Sequence, residues 1–257
     1  MAGSEYEYYG MMAETWDLFR GDTSKWDDRF FYLDIIAESG QPVLDVGCGT
    51  GRLLVDYLAQ GMDIDGVDIS PEMLKICQEK MDGLGLSTNL YNGDMETMRL
   101  PRQYQTIMVP SSSFQLVLEP EHAKLAIANL VAHLQPGGTL VMPFMKIWNE
   151  GYDNSWRLTG EKVRPSDGAK VKRWSRNWFD PETQLESNED RYEVIKDGVT
   201  VATESHLRSP ATREYSQHQA MDLFIGAGLV DLRMYKGFTQ LPASPEDEII
   251  TICGVRP

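Results

Sequence analysis

An apolar run, Val43-Leu44-Asp45-Val46, breaks directly into Gly47-Cys48-Gly49-Thr50-Gly51-Arg52. A strand that ends in alternating glycines and then opens a helix leaves few folds open, because such a turn belongs at the carboxyl edge of a parallel sheet. The glycines let backbone approach a ligand closely and aim N–H groups at it. From Pro42 onward, short apolar runs alternate with longer amphipathic segments, the pattern of βαβ units and a parallel sheet. Strands are predicted at 42–46, 63–68, 88–92, 104–110 and 139–145, with helices at about 51–60, 71–82 and 121–134 between them. Ser70-Pro71-Glu72 supplies an N-cap, a proline at the first helical position and an acid in the first turn. Gln135-Pro136-Gly137-Gly138 is expected to stop the helix that ends near Leu134.

Between about 147 and 213 helical periodicity disappears. Strand-like runs at Lys170–Phe179, Leu185–Ile195 and Val199–Leu207 are separated by the turns Asp180-Pro181-Glu182-Thr183 and Lys196-Asp197-Gly198, so an antiparallel insertion is expected. Residues 153–213 also carry eleven acidic and eleven basic side chains, leaving the formal net charge of -15 to the remainder. Ser216, spaced from Gln219 as in a capping box, opens a helix that ends in Gly226-Ala227-Gly228, and two last strands follow near 229–236 and 247–255. The first forty residues hold Tyr6, Tyr8, Tyr9, Trp16, Phe19, Trp26, Phe30, Phe31 and Tyr32, a density suited to helices that cover something flat or apolar, or that pack in a core.

A chain of 257 residues is near the upper end of single domains, so one nucleotide-binding core with an insertion is expected. The longest apolar stretches, Thr139 to Phe144 and Ile249 to Cys253, are strand-sized. The opening MAGSEYEYYG has neither the basic nor the apolar region of a signal peptide, and a cytoplasmic location is expected. Cys48, Cys77 and Cys253 form no C-x-x-C pair and are read as reduced thiols. The four histidines, at 122, 133, 206 and 218, have no zinc-site spacing, and no metal is expected. The acidic balance disfavours a nucleic-acid partner, whose phosphates it repels.

The glycine loop alone suits two cofactors. A dinucleotide fingerprint needs G-x-G-x-x-G, and Arg52 stands where the third glycine belongs. Asp45, just before the loop, repels a pyrophosphate but favours a ligand with an ammonium and a sulfonium. Asp68, at the end of the second strand, is placed to accept both ribose hydroxyls. Asp94, in Asn92-Gly93-Asp94-Met95, ends the next strand, where it can accept from an adenine amino group while Met95 packs on the ring.

The runs VLDVGCGTGR, GVDISPEML, NGDM and LQPGGTLV, in order from about 42 to 145, resemble class I S-adenosylmethionine-dependent methyltransferases. The resemblance implies an α/β fold with a doubly wound, mostly parallel seven-stranded Rossmann-like sheet whose last strand is antiparallel. It implies S-adenosyl-L-methionine as cofactor and S-adenosyl-L-homocysteine as product. Gly47, Gly49 and Gly51 then surround the methionine moiety, Asp68 holds the ribose and Asp94 with Met95 the adenine; Asp45, Cys48, Ile69, Met73 and Pro110 complete the cofactor site. The insertion resembles in layout the substrate cap of glycine N-methyltransferase-like and amino-sugar N-methyltransferases, which implies a small amine acceptor and a homodimer. The expected organisation is a helical lid at 1–41, a cofactor-binding core at 42–146 and 214–257, and a substrate cap at 147–213.

Methyl transfer from a sulfonium needs the nucleophile held in line, and ordering the reactants can supply about 7–11 kcal/mol. A base matters only where the nucleophile must lose a proton, so no catalytic residue is assigned. After the fourth strand, Ser111, Ser113, Phe114 and Gln115 are candidates on the substrate side, with serine capping of a short helix as the competing reading. That segment lacks the Asn/Asp-Pro-Pro-Tyr/Phe motif of many nucleic-acid and protein amide methyltransferases. Arg173 is the insertion's candidate; with Trp156, Arg157, Trp174, Arg176 and Trp178 it either lines a pocket or, in part, covers a solvated face, since strand residues alternate sides. His206 suits a general base and His133 a helix C-terminus. The favoured reading is transfer to an amine of a small molecule. Transfer to a hydroxyl or phenol, a nicotinamide oxidoreductase and a non-catalytic cofactor-binding module are the alternatives.

Overall fold

The computed structural model describes residues 8–147 and 154–257. Three helices come first, α1 (Gly10–Glu14), α2 (Trp16–Arg20) and α3 (Asp27–Ser39). Then β1 (Val43–Val46), α4 (Leu54–Ala59), β2 (Ile64–Asp68), α5 (Pro71–Leu84), β3 (Leu90–Asn92), β4 (Tyr104–Met108), α6 (Pro120–Ala132) and β5 (Leu134–Met145) alternate. Four strands follow, β6 (Arg157–Val163), β7 (Lys170–Asp180), β8 (Leu185–Lys196) and β9 (Val199–Arg213). The chain closes with α7 (Gln217–Gly226), β10 (Val230–Lys236) and β11 (Ile249–Val255).

The first sheet has seven strands in the order β10-β11-β5-β4-β1-β2-β3, with β11 antiparallel to both neighbours and the pairings from β5 to β3 parallel. Parallel strands covered on both faces read as unbroken apolar runs, which is why 43–46 and 139–145 are so legible. Leu44, Val46, Ile107 and Leu140 pack on one face with Ile127 and Leu130 of α6 and Phe224 of α7. Val43, Met108 and Val141 pack on the other with Ile35 of α3, Leu54 of α4 and Cys77 of α5. Ser70 caps α5, its Oγ accepting from Met73 N at 3.1 Å, so the punctuation expected there forms.

The second sheet is antiparallel, in the order β6-β7-β8-β9. The sequence reading misses β6, whose run Arg157-Leu158-Thr159-Gly160-Glu161-Lys162-Val163 has no apolar alternation; its register comes from pairing with β7. β9 continues to Arg213, beyond the expected end at Leu207, across a register shift opposite Glu186 and Asn188. Gln135-Pro136-Gly137-Gly138 is no helix stop: α6 ends at Ala132, and these residues open β5. Gly137 has φ of 78°, and a Cβ on Gly138 would lie about 3 Å from the carbonyl oxygens of Gln135, Tyr104 and Gln105, so the segment makes the irregularity between the Tyr104–Leu134 and Thr106–Thr139 pairs. Tyr6 and residues 148–153 of the insertion lie outside the described residues.

Candidate active site

The ends of β1, β2, β3 and β4 meet at one edge of the seven-stranded sheet, around a cavity of about 550 Å³. The loop after β1 forms its floor. Gly47, at φ of 70°, lies so near Ser113 that a Cβ there would come within 2.7 Å of the serine hydroxyl. Gly49 faces open space, and its N–H donates to Asp68 Oδ2 at 2.8 Å. Asp68 Oδ1 accepts from Ser70 N at 2.8 Å, so one carboxylate fixes the glycine loop and the turn after β2 together. Burial raises the Asp68 carboxyl, and the amides of Ser70 and Gly49 oppose that shift.

The wall continues through Cys48, Ile69, Met73, Asp94 and Met95, all expected on the cofactor side. Asp94 is shaped by its own turn, Oδ1 accepting from Glu96 N at 2.8 Å. Three expected cofactor residues stand behind the wall. Gly51 packs against α5, where a Cβ would strike Cys77 Sγ and Val55. Pro110 is a buried link after β4, its carbonyl accepting from Ser113 Oγ at 2.8 Å. Asp45 is 1 % exposed beneath the loop, with Oδ1 unpartnered among the described residues. Burial pushes its carboxyl up to about 7, with Arg52 pulling the other way.

On the expected substrate side the cavity includes Ser111 and Ser113 but not Phe114, Gln115 or Arg173. Phe114 packs in the core, 5.9 Å from the Phe144 ring. Gln115 is fully buried and bridges strands: Nε2 donates to the carbonyls of Met145 and Arg213, and Oε1 accepts from Met145 N. Arg173 grips the buried Asp190 at 3.0 and 3.1 Å within the second sheet. Trp156, Trp174, Arg176 and Arg191 stack on one another, and none of them lines the cavity. His206 meets Glu204 Oε1 at 2.6 Å, away from the cavity wall. His133 accepts from Leu100 N at Nε2, which leaves Nδ1 to donate to Asn129 O; the ring is thus neutral and bridging, where the sequence suggested a charge at the end of α6.

The sequence reading missed part of the wall. Tyr8, Trp16 and Arg20 reach it from the N-terminal segment, Glu96 lines it from the turn after β3, and Glu119 and His122 line it at the start of α6. His122 Nδ1 lies 3.2 Å from Glu96 Oε2. The helix after β4 starts at the same sheet edge as the glycine loop, and that position was the available signal for Glu119 and His122. Nothing local marked Arg20. With Asp68, Asp94, Glu96 and Glu119 on its wall, the cavity disfavours a pyrophosphate and favours a ligand that carries cationic groups. Among the described residues no cluster of His, Cys, Asp or Glu is placed to hold a metal ion.

Residues 43–138 match the family model described as a methyltransferase domain. The chain is 31% identical over 134 residues to dTDP-3-amino-3,4,6-trideoxy-alpha-D-glucopyranose N,N-dimethyltransferase of Streptomyces venezuelae, covering 52% of this chain and 53% of that protein. It is 26% identical over 146 residues to dTDP-3-amino-3,6-dideoxy-alpha-D-glucopyranose N,N-dimethyltransferase of Streptomyces fradiae, covering 55% and 56%. The chain therefore spans about half the length of these curated relatives. Two solved structures match over nearly the whole of both chains. One is a S-adenosylmethionine-dependent methyltransferase from Clostridium acetobutylicum, with TM-score 0.74, 19% identity and coverage of 95% and 96%. The other is a sugar N-methyltransferase from Streptoalloteichus, with TM-score 0.72, 21% identity and coverage of 100% and 98%. Residues 43–138 are thus similar to a methyltransferase domain, and the chain that carries them has the fold of the class I S-adenosylmethionine-dependent methyltransferases.

Proposed function

We propose that the protein transfers the methyl group of S-adenosyl-L-methionine to an amine nitrogen of a small molecule. The observation that carries this is a single cavity in which the glycine loop, Asp68, and Asp94 with Met95 stand in order along the sheet edge, beside the His122–Glu96 pair. The bound cofactor supplies the electrophilic methyl. Asp68 accepts from the ribose hydroxyls, Asp94 from the adenine amine, and Met95 with Ile69 covers the ring. An amine arrives protonated and must lose that proton before it attacks; an imidazole can take it, and Glu96 beside His122 stabilises the imidazolium that results. Glu119 and Glu96 also draw an ammonium in, which a neutral phenol does not exploit. The aminosugar dimethyltransferases among the relatives support an amino sugar as acceptor.

In this reading residues 1–41 are a lid, 42–146 and 214–257 the cofactor-binding core, and 147–213 a substrate cap, and the protein works in the cytoplasm as a homodimer without nucleic acid or metal. No helix among the described residues is long and apolar enough to cross a membrane. The test is titration with S-adenosylmethionine, S-adenosylhomocysteine and NAD, followed by transfer to matched panels of amino sugars, hydroxy sugars and phenols. Binding of the first two ligands and methylation of the amino sugars is the expected result. NAD binding, or methylation confined to phenols, rejects the reading.

A further inference from the structure

Arg20 ends α2, and its guanidinium lies on the cavity wall within cation–π reach of two indoles, 5.0 Å from the Trp16 ring and 5.5 Å from the Trp26 ring. Its polar contact is weak, a 3.5 Å approach to Ser111 Oγ. No carboxylate among the described residues pairs with it. Arg52 makes the contrast: it also stacks on Trp26, at 5.1 Å, but its fork is filled by both oxygens of Asp28. Burial and the nearby Arg52 lower the Arg20 pKa and outweigh the opposing pull of Asp28, Tyr8 and Asp17, so this cation is held at a cost that a directly paired carboxylate would relieve.

The cavity sorts charge. Among the described residues its wall carries Asp68, Asp94, Glu96 and Glu119, against Arg20 and His122 as the groups able to be cationic. An anionic group entering it has one fully charged partner. Arg20 touches Ser111, Ser113 stands over Gly47, and Trp26 links Arg20 to Arg52, the residue that follows Gly51. The guanidinium therefore sits at the glycine-loop end of the cavity. S-adenosylmethionine has one anionic group, the α-carboxylate of its amino-acid end; its ammonium and sulfonium suit the acids. A planar guanidinium fork matches a carboxylate bidentately, and stacking on two rings holds the plane in place before binding.

We propose that Arg20 is the receptor for the cofactor's α-carboxylate, clamped for that purpose by Trp16 and Trp26. This rests on the cofactor assignment above. The test is calorimetric titration of the wild-type protein, Arg20→Met and Arg20→Lys with three ligands: S-adenosylhomocysteine, decarboxylated S-adenosylmethionine, and 5′-methylthioadenosine, which lacks the amino-acid end. Arg20→Met keeps a long side chain against the indoles. It is expected to lower affinity for S-adenosylhomocysteine roughly 10- to 100-fold, the range for a lost charged hydrogen-bonding pair. Affinity for the two ligands without a carboxylate should stay within about twofold. Arg20→Lys should recover part of the loss, as a point charge without the fork. Equal losses for all three ligands would make Arg20 a packing residue and overturn the inference. Undiminished binding of S-adenosylhomocysteine by Arg20→Met would overturn it too, leaving the cofactor assignment intact. A wild-type protein that binds none of the three would overturn both.

Discussion

Asp45 lies under the glycine loop with one oxygen unpartnered among the described residues, and burial pushes its carboxyl up to about 7. An aspartate in an unfolded chain titrates near 3.9. Between those values the folded protein holds a proton that the unfolded chain has released, so Asp45's contribution is fully present below about pH 4 and is lost as pH rises to about 7. Asp45→Asn keeps the shape without the charge. Denaturant unfolding at about pH 5 and about pH 8 should show the wild type losing more stability than the variant; equal losses would mean that Asp45 carries no proton in that window. Asp68 is different, because both its oxygens accept from loop amides. Asn can accept at one oxygen only and turns an N–H toward the other amide. Asp68→Asn should weaken S-adenosylhomocysteine binding by about 1–3 kcal/mol in a calorimetric titration. The place of Asp68 on the cavity wall was legible in the sequence because strand ends in this topology converge on one edge of the sheet. Arg20 was not, since its place depends on a segment far from the loop folding back over it.

At the scale of elements, the clearest sequence signals were those whose partners are local. Ser216 and Gln219 form the full capping box of α7, with Gln219 N donating to Ser216 Oγ at 3.2 Å and Ser216 N to Gln219 Oε1 at 2.8 Å. Gln219 Nε2 also donates to Gln184 Oε1 at 2.8 Å, in the turn between β7 and β8. Ser216→Ala should cost about 0.5–2 kcal/mol of stability in urea unfolding. Replacing Gln184 by Ala should cost less, because its contact is exposed. β6 and the far end of β9 were illegible for the opposite reason: both take their register from neighbouring strands. Gln135-Pro136-Gly137-Gly138 has the composition of a helix stop, yet the backbone of β4 decides that it serves as the entry to β5.

Across the whole molecule, the N-terminal segment joins the two sheets. Ser70 Oγ, beside the Asp68 carboxylate, donates to Tyr8 O at 2.7 Å. Met11 N donates to Glu204 Oε1 of β9 at 2.7 Å, and a Cβ on Gly10 would overlap that carboxylate. Phe19 fills the space over Gly160 of β6. Asp17 accepts from Thr50 of the glycine loop at 2.7 Å and pairs with Lys80 of α5 at 2.7 Å. The segment that presents Trp16 and Arg20 to the cavity is thus held from both sides, and loosening one side should loosen the cavity wall. Glu204→Ala removes the acceptor for Met11 N and the partner of His206 while leaving the Asp17 and Ser70 ties in place. Amide exchange over residues 11–20 should rise roughly tenfold, the factor for a lost bond of about 1.4 kcal/mol, with the strands of both sheets unchanged. Dissociation of S-adenosylhomocysteine should quicken in step. If exchange rises equally in all strands, Glu204 supports the fold as a whole; if it rises nowhere, the ties to the glycine loop, Ser70 and α5 suffice and the second sheet does not hold the segment down.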